Sequence, residues 1–335
     1  MRSKLAGLAM SLLLSAGATA PVRAEVGEVI LAQQFGIIFV PLMVMEQQKM
    51  VEKQAAARGL PDLKVTWSKL AGPAVMVDAM LSGSLHFSAQ GVPSMMLMWD
   101  RTRNNVGVHA VSSINDSPIY LNTRNQNVNS LKDFTEKDRI AIPSIKVSSQ
   151  AIYLQMAAEK AFGPGKHTQM DHLVVALAHP DAVAAVMNPG GEINAHFATS
   201  PFHELEKKAG FKTIMSSYDA IGGQSTILTF VTTDKFRKEN PKVYEIVKAA
   251  FDEAMDYTNA DLKRAAQVYI DVSKDKKSSV EELHSIMTQP GFAYSKKPAT
   301  VGAFAEFMHR TGLIKNKPAS WQDMFFPEAH ALGGN

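Results

Sequence analysis

From residue 26 onward, short runs rich in β-branched and aromatic residues alternate with longer runs whose apolar positions recur at helical spacing. Strands are predicted over 29–33, 64–69, 85–89 and 106–112, with helices over 41–58, 73–81 and 93–99 between them. Proline stands at the helix starts (Pro41, Pro73, Pro93), and Gly59 and Gly83 stand at helix ends, where each is best tolerated. A second series of the same type and order follows: strands over 139–142, 172–177, 193–198 and 211–215, helices over 148–162, 180–187 and 201–209. Such alternation predicts mostly parallel sheets covered by helices.

The second series echoes the first in detail. Leu177-Ala178-His179-Pro180, an alanine-rich helix and then Ile193 to Ala198 parallel Leu70-Ala71-Gly72-Pro73, its helix and Leu85 to Ala89. Two β-rich stretches, 118–123 and 225–233, flank this series and read as crossings between two lobes. Residues 25–117 and 226–335 are thus expected to form lobe one, and residues 118–225 lobe two. The remainder is helical, with periodic segments over 241–259, 262–272, 280–288 and 300–311, and is expected to sit on lobe one.

The 335 residues, 46% of them hydrophobic, are enough for a core in each lobe. The formal charge of +3 disappears when the first 24 residues are set aside, because they contain Arg2, Lys4 and Arg23 and no acid. A neutral chain argues against a nucleic-acid binder. With no cysteine, disulfides, thiolate nucleophiles, Cys-ligated zinc, iron–sulfur clusters and a lipid-anchored N-terminus are excluded. The N-terminus has the form of a secretory signal: bases, an apolar run from Leu5 to Ala18, and small residues at Val22 and Ala24 around Arg23. Cleavage is expected after Ala24; cleavage after Ala20 would place Pro21 beyond the scissile bond. The apolar run is shorter than the roughly 20 residues a membrane span needs. The mature chain is therefore expected to be soluble and periplasmic, without stable membrane insertion.

Several segments, in their order, resemble one family. They are Gln34-Phe35-Gly36 with Pro41-Leu42; Gly72-Pro73 leading to Leu81-Ser82-Gly83-Ser84-Leu85-His86-Phe87; Leu131-Lys132-Asp133-Phe134 leading to Ile140-Ala141-Ile142-Pro143; Phe230-Val231-Thr232-Thr233 with Asn240-Pro241; and Trp321-Gln322-Asp323-Met324-Phe325-Phe326. Together they resemble the substrate-binding proteins of ABC importers, in the nitrate, sulfonate, taurine and thiamine-precursor-like group. The resemblance implies a two-lobed, hinged α/β fold of the type II periplasmic-binding class, which hands a small solute to a permease and its ATPase. The chain departs from many relatives at Ser88-Ala89-Gln90-Gly91-Val92-Pro93, where they carry a Gly- or Thr-rich turn. A fungal branch of the family makes the thiamine pyrimidine by cysteine-rich chemistry, which a chain without cysteine does not carry over.

In such folds the ligand lies beyond the carboxyl ends of the strands, where helix N-termini leave N–H groups unpaired. Strand ends nominate Gln34, Phe35, Gly36, Gly72, Gln90 and Gly91 from lobe one. From lobe two they nominate Lys146, Ser148, Ser149, Gln150, Thr199, Ser200 and Phe202. Ser148 and Ser149 equally suit N-caps, Phe35 and Phe202 suit core packing, and Lys146 suits a solvated loop. His179, His196 and His203 lack clear partners in the sequence and read as core or surface histidines. The methionines between Met43 and Met98 fall on helix faces and read as flexible packing rather than copper ligands. His203-Glu204 is followed by Lys207 where a metalloprotease helix requires histidine, and no G-x-S-x-G elbow, Walker loop or G-x-G-x-x-G occurs. No catalytic residue, metal or cofactor is called for. The expected function is a monomeric solute receptor, not an enzyme, that closes on a small anionic organic solute; among solute identities the sequence leaves a sulfonate, taurine, nitrate, an aromatic carboxylate and a pyrimidine open. A ligand-sensing module for a membrane receptor and an exported enzyme are the rival readings.

Overall fold

The computed structural model describes residues 25–70 and 72–335. The expected leader, residues 1–24, lies outside the described residues. The first series forms β1 (Glu28–Gln33), α1 (Val40–Gln47), α2 (Met50–Ala57), β2 (Lys64–Lys69), α3 (Pro73–Ser82), β3 (Phe87–Gly91), α4 (Val92–Thr102) and β4 (Val108–Asp116). The second forms β5 (Tyr120–Thr123), β6 (Ile140–Ile142), α5 (Ser149–Phe162), β7 (Val174–Ala176), α6 (His179–Val186), β8 (Ala195–Ala198), α7 (Phe202–Lys208), β9 (Lys212–Ser216) and α8 (Ser217–Ile221). The chain then runs through β10 (Thr226–Thr233), α9 (Asp234–Glu239), α10 (Pro241–Ala260), α11 (Leu262–Ser273), α12 (Val280–Met287), β11 (Ala293–Tyr294) and α13 (Val301–Arg310).

Two sheets result, with strand orders β11-β4-β10-β3-β1-β2 and β7-β6-β8-β5-β9. In each, three strands pair in parallel, β2-β1-β3 and β7-β6-β8, and the helices between them supply the crossovers that parallel pairing needs. The other pairings are antiparallel and are made by the strands that carry the chain between the sheets and by their neighbours. The core of the first sheet centres on Phe230, stacked between Phe87 at 5.4 Å and Phe251 at 4.7 Å. In the helical tail, α10 packs on α1 and α2, and α11 on α1 and α12. The tail also reaches the second sheet's layer, through Arg310 to Glu159 and Lys208 to Glu282, each 2.5 Å.

Several elements differ from the sequence expectation. The helix over 41–58 is two helices, because Lys49 adopts a left-handed φ of 50° at the start of α2. The strand over 172–177 is shorter than expected: its first two residues close a 3-10 turn, His167–Leu173, and the strand itself is Val174–Ala176. The third strand starts at Phe87 and carries Gln90 and Gly91 inside it rather than in a turn beyond it. The two-residue β11 was not expected from the sequence, being too short to show alternation. Among the described residues no helix is long and apolar enough to cross a membrane.

Candidate functional site

The two α/β layers meet at a seam where helices begin. Gly72 is the N-cap of α3, Gly91 of α4 and Ser148 of α5, whose hydroxyl accepts from the Ala151 N–H. Each such terminus presents unpaired N–H groups and a partial positive charge. Bonds across the seam hold it shut: Ile37 N–H donates to the Ser200 carbonyl (3.2 Å), Ser94 Oγ to the Val147 carbonyl (2.8 Å) and Ala74 N–H to Ser144 Oγ (3.4 Å). The glycines permit this approach. A Cβ on Gly72 would lie 2.6 Å from the Pro143 carbonyl oxygen, and one on Gly91 would lie 2.3 Å from Ser149 Oγ. At Gly36, where φ is +111°, a Cβ would sit 3.1 Å from the Ser200 carbonyl oxygen.

Two spaces lie along the seam, and Gln34 borders both. The inner one is about 30 Å³ and is lined from lobe one by Gln34, Pro73, Gly91 and Ser94 among others, and from lobe two by Ser148, Ser149, Gln150, His179 and Thr199. It has room for one or two water-sized groups, so it admits the head of a solute and not its body. Among the described residues no lysine or arginine lines it. Thr199 is buried, and its hydroxyl has no partner. A buried hydroxyl left unpaired in the protein is a natural donor to a guest.

The outer chamber is about 560 Å³. Its walls are apolar, with Phe35 and Met43 on one side and Val183, Phe202 and Leu205 on the other. The end of α11 and the loop after it complete it with Tyr269, Lys274, Lys276 and Lys277, and Lys69 stands near them, where it donates to the Val272 carbonyl (3.2 Å).

Of the residues nominated from the sequence, Gln34, Gly91, Ser148, Ser149, Gln150 and Thr199 come together at the inner cavity. Phe35, Gly36 and Phe202 line the chamber. Gly72 and Ser200 lie on the seam between lobes through their backbones. Gln90 and Lys146 line neither space. The Gln90 side chain is buried and bonds back along its own strand, donating to Ser88 Oγ (3.1 Å). Lys146 has a left-handed φ of 64° and lines a separate small hollow with Asp171, Leu154 and Gln155, away from the inner cavity.

His179, His196 and His203 are core residues, one of the two readings the sequence allows, and each has a side-chain partner that the sequence does not show. Gln150 Nε2 lies 3.2 Å from His179 Nε2, His179 Nδ1 lies 2.7 Å from His196 Nε2, and His196 Nδ1 lies 2.5 Å from Glu206 Oε1. Asn122 Nδ2 donates to the other Glu206 oxygen (2.7 Å). His179, His196 and Glu206 are buried, and burial holds His179 well below the usual imidazole value. His203 stacks on Tyr120 at 3.9 Å and is pushed down to about 4 by burial and by Lys207. Among the described residues no three His, Asp or Glu side chains are gathered so as to hold a metal ion.

Paired α/β layers, two chain crossings and a seam of helix starts define the fold of periplasmic binding proteins. Solved structures bear out that fold. The alkanesulfonate-binding protein SsuA from Xanthomonas axonopodis pv. citri, bound to MOPS, is 14% identical and superposes with a TM-score of 0.67, over 90% of this chain and 98% of that one. A ligand-binding component of an ABC-type import system from Staphylococcus aureus, with zinc bound, is 16% identical at a TM-score of 0.66, over 91% and 98%. The nitrate-binding protein NrtA from Synechocystis PCC 6803 is 14% identical at 0.61, over 92% and 86%. No protein-family model matches the sequence, and no curated protein matches it by sequence.

Proposed function

We propose that this protein is the solute-binding component of an ABC importer, working in the periplasm as a monomer and delivering a small anionic organic solute to a permease and its ATPase. The observation that carries this reading is the seam itself. Helix N-termini and an unpaired hydroxyl surround a space the size of an acidic head, and a chamber beside it, with apolar walls and a charged border of Lys69, Lys274, Asp275, Lys276 and Lys277, suits an organic body. Helix termini each favour an anion by about 0.3–1 kcal/mol and by up to about 2 when partly buried, so several together hold one without a lysine. The apolar walls favour a sulfonate or carboxylate with a carbon skeleton over a bare nitrate. The fold neighbours, proteins named for binding alkanesulfonate and nitrate, support the same class. Closure is the working step: a solute that touches both lobes selects the shut arrangement.

A thermal-shift screen over ethanesulfonate, benzenesulfonate, taurine, benzoate and nitrate tests this. Binding at a hundredfold excess over Kd stabilises by about 2.7 kcal/mol, an easily read shift. An organic anion is expected to raise the melting temperature, and silence across the panel would remove the proposal. Thr199→Val sharpens it. Removing one hydrogen bond to the solute is expected to weaken binding about fivefold to tenfold, from roughly 1–1.5 kcal/mol. Because the hydroxyl has no partner in the protein, the melting temperature without solute should hold or rise. A variant that loses stability and keeps its affinity would place Thr199 outside the site.

A further inference from the structure

The chain Gln150–His179–His196–Glu206 runs from the inner cavity into the interior of lobe two. One arrangement of its protons satisfies every contact with the Gln150 amide donating. Both Glu206 oxygens accept, one from Asn122 Nδ2, so His196 Nδ1 carries hydrogen toward the carboxylate. His196 Nε2 is then an acceptor, His179 Nδ1 its donor, and His179 Nε2 accepts from the Gln150 amide. In this arrangement every bond points inward, and His179 is neutral, as its burial favours. Adding one proton at His179 Nε2 reverses part of the line: the Nδ1 proton of His179 passes to His196 Nε2, and the imidazolium forms beside the buried carboxylate. His179 Nε2–H and the Gln150 amide then both present hydrogens to the cavity. Two donors side by side repel each other unless an acceptor sits between them.

Resting on the solute-binding reading above, we infer that His179 and Gln150 receive the acidic head of the solute, and that the relay through His196 to Glu206 takes up one proton as the anion binds. The inner cavity would thereby gain a cationic charge on binding, while Lys69, Lys274, Lys276 and Lys277 stand in the outer chamber rather than at the head, and it would discriminate against neutral solutes. Burial holds His179 neutral in the unliganded protein, in keeping with a proton that arrives only with its anion. The other groups near the relay do not replace it. His203, Glu204 and Lys207 on α7 accompany Glu206; His203 bonds Asn122 and is held down to about 4, and Glu204 is raised by burial and accepts from Ser200 Oγ (2.8 Å). Tyr120 on β5 stacks on His203, and Asp181 on α6 is two residues from His179. Lobe one's side of the cavity is uncharged.

Since the bound state holds more protons, binding tightens as pH falls, by about tenfold per pH unit for one proton. Titration calorimetry of the full chain with whichever of benzoate, benzenesulfonate or ethanesulfonate shifts the melting temperature, in buffers of different ionisation heat between pH 6 and 8, reads the uptake directly. About one proton per anion is expected, and His179→Gln and Glu206→Gln should flatten the pH slope. A probe that binds with no proton uptake, or with the wild-type slope in a folded His179→Gln protein, overturns the inference and leaves the receptor reading intact. No binding by any probe overturns both. Nitrogen-15 spectra of the unliganded wild type need neither variant nor solute: His179 and His196 should both be Nδ1–H tautomers at pH 7.5, and an Nε2–H tautomer at either breaks the relay.

Discussion

Gly72→Val is expected to leave the lobes folded and to abolish tight solute binding. Gly72 has φ of −173°, extended backbone that any residue adopts and that the following Pro73 favours, so the substitution brings no backbone strain. Space is the obstacle. The new Cβ would lie 2.6 Å from the carbonyl oxygen of Pro143 in the opposite lobe, a backbone atom with no rotamer to move away. The lobes must part to relieve it, and parting breaks the three seam bonds from Ile37, Ser94 and Ala74. At about 1 kcal/mol each, that removes roughly 3 kcal/mol from the shut arrangement, or about a hundredfold in its population. Affinity for the solute should fall by a similar factor, because a ligand that needs closure carries the cost of closing. Small-angle scattering in the presence of solute should show a larger radius of gyration than wild type. Gly302→Ala is the control: a Cβ there meets nothing within 4 Å, and alanine suits the α13 helix, so binding should not change. Equal affinity in Gly72→Val and wild type would mean that closure at this seam is not part of binding.

How far the sequence discloses this site depends on the range of the interactions that build it. Alternating strand and helix patterns, prolines at helix starts and glycines at helix ends are local, and they place most elements within a few residues. The break at Lys49 is local too but carries no glycine or proline to announce it, so one helix was expected where two stand. Strand ends nominate the residues at the inner cavity because the rule that ligands sit beyond the carboxyl ends of strands needs only the order of elements. It does not tell which way a side chain turns: Gly91, the last residue of β3, lines the cavity, whereas the Gln90 side chain just before it bonds back to Ser88. The relay was beyond local reading. Asn122 and Glu206 are 84 positions apart, and His179 and His196 are 17 apart on different elements, so only the packed sheet brings them into line. The chamber is of the same kind, since its far wall comes from the end of α11, within a tail whose pattern shows helices but not the cleft they border. The one signal available for that wall was the Lys274-Asp275-Lys276-Lys277 run, a dense charge cluster directly after a helix.

Phe230→Ala should cost more stability than any change at the seam. The ring lies on β10, the strand that returns from the second sheet and pairs on one side with β3 and on the other with β4. It is fully buried, stacked on Phe251 at an interplanar angle of 12° and on Phe87 at 22°. Truncation removes the middle of a three-ring stack that joins β3, β10 and α10, and neither neighbour can close the gap without abandoning its own contacts. Phe87 also packs on Phe236 and Tyr244, and Phe251 belongs to a helix held against α1 and α2. A loss of about 3–5 kcal/mol follows from the lost transfer energy together with an uncollapsed cavity. Urea unfolding should show the midpoint move down with little change in slope; a loss under about 1 kcal/mol would mean that the core relaxes around the missing ring. Because Ile227 and Leu228 on the same strand border the inner cavity, solute binding reads out whether this loss stays local. If the strand keeps its register, saturating solute should still raise the variant's melting temperature, from a lower base.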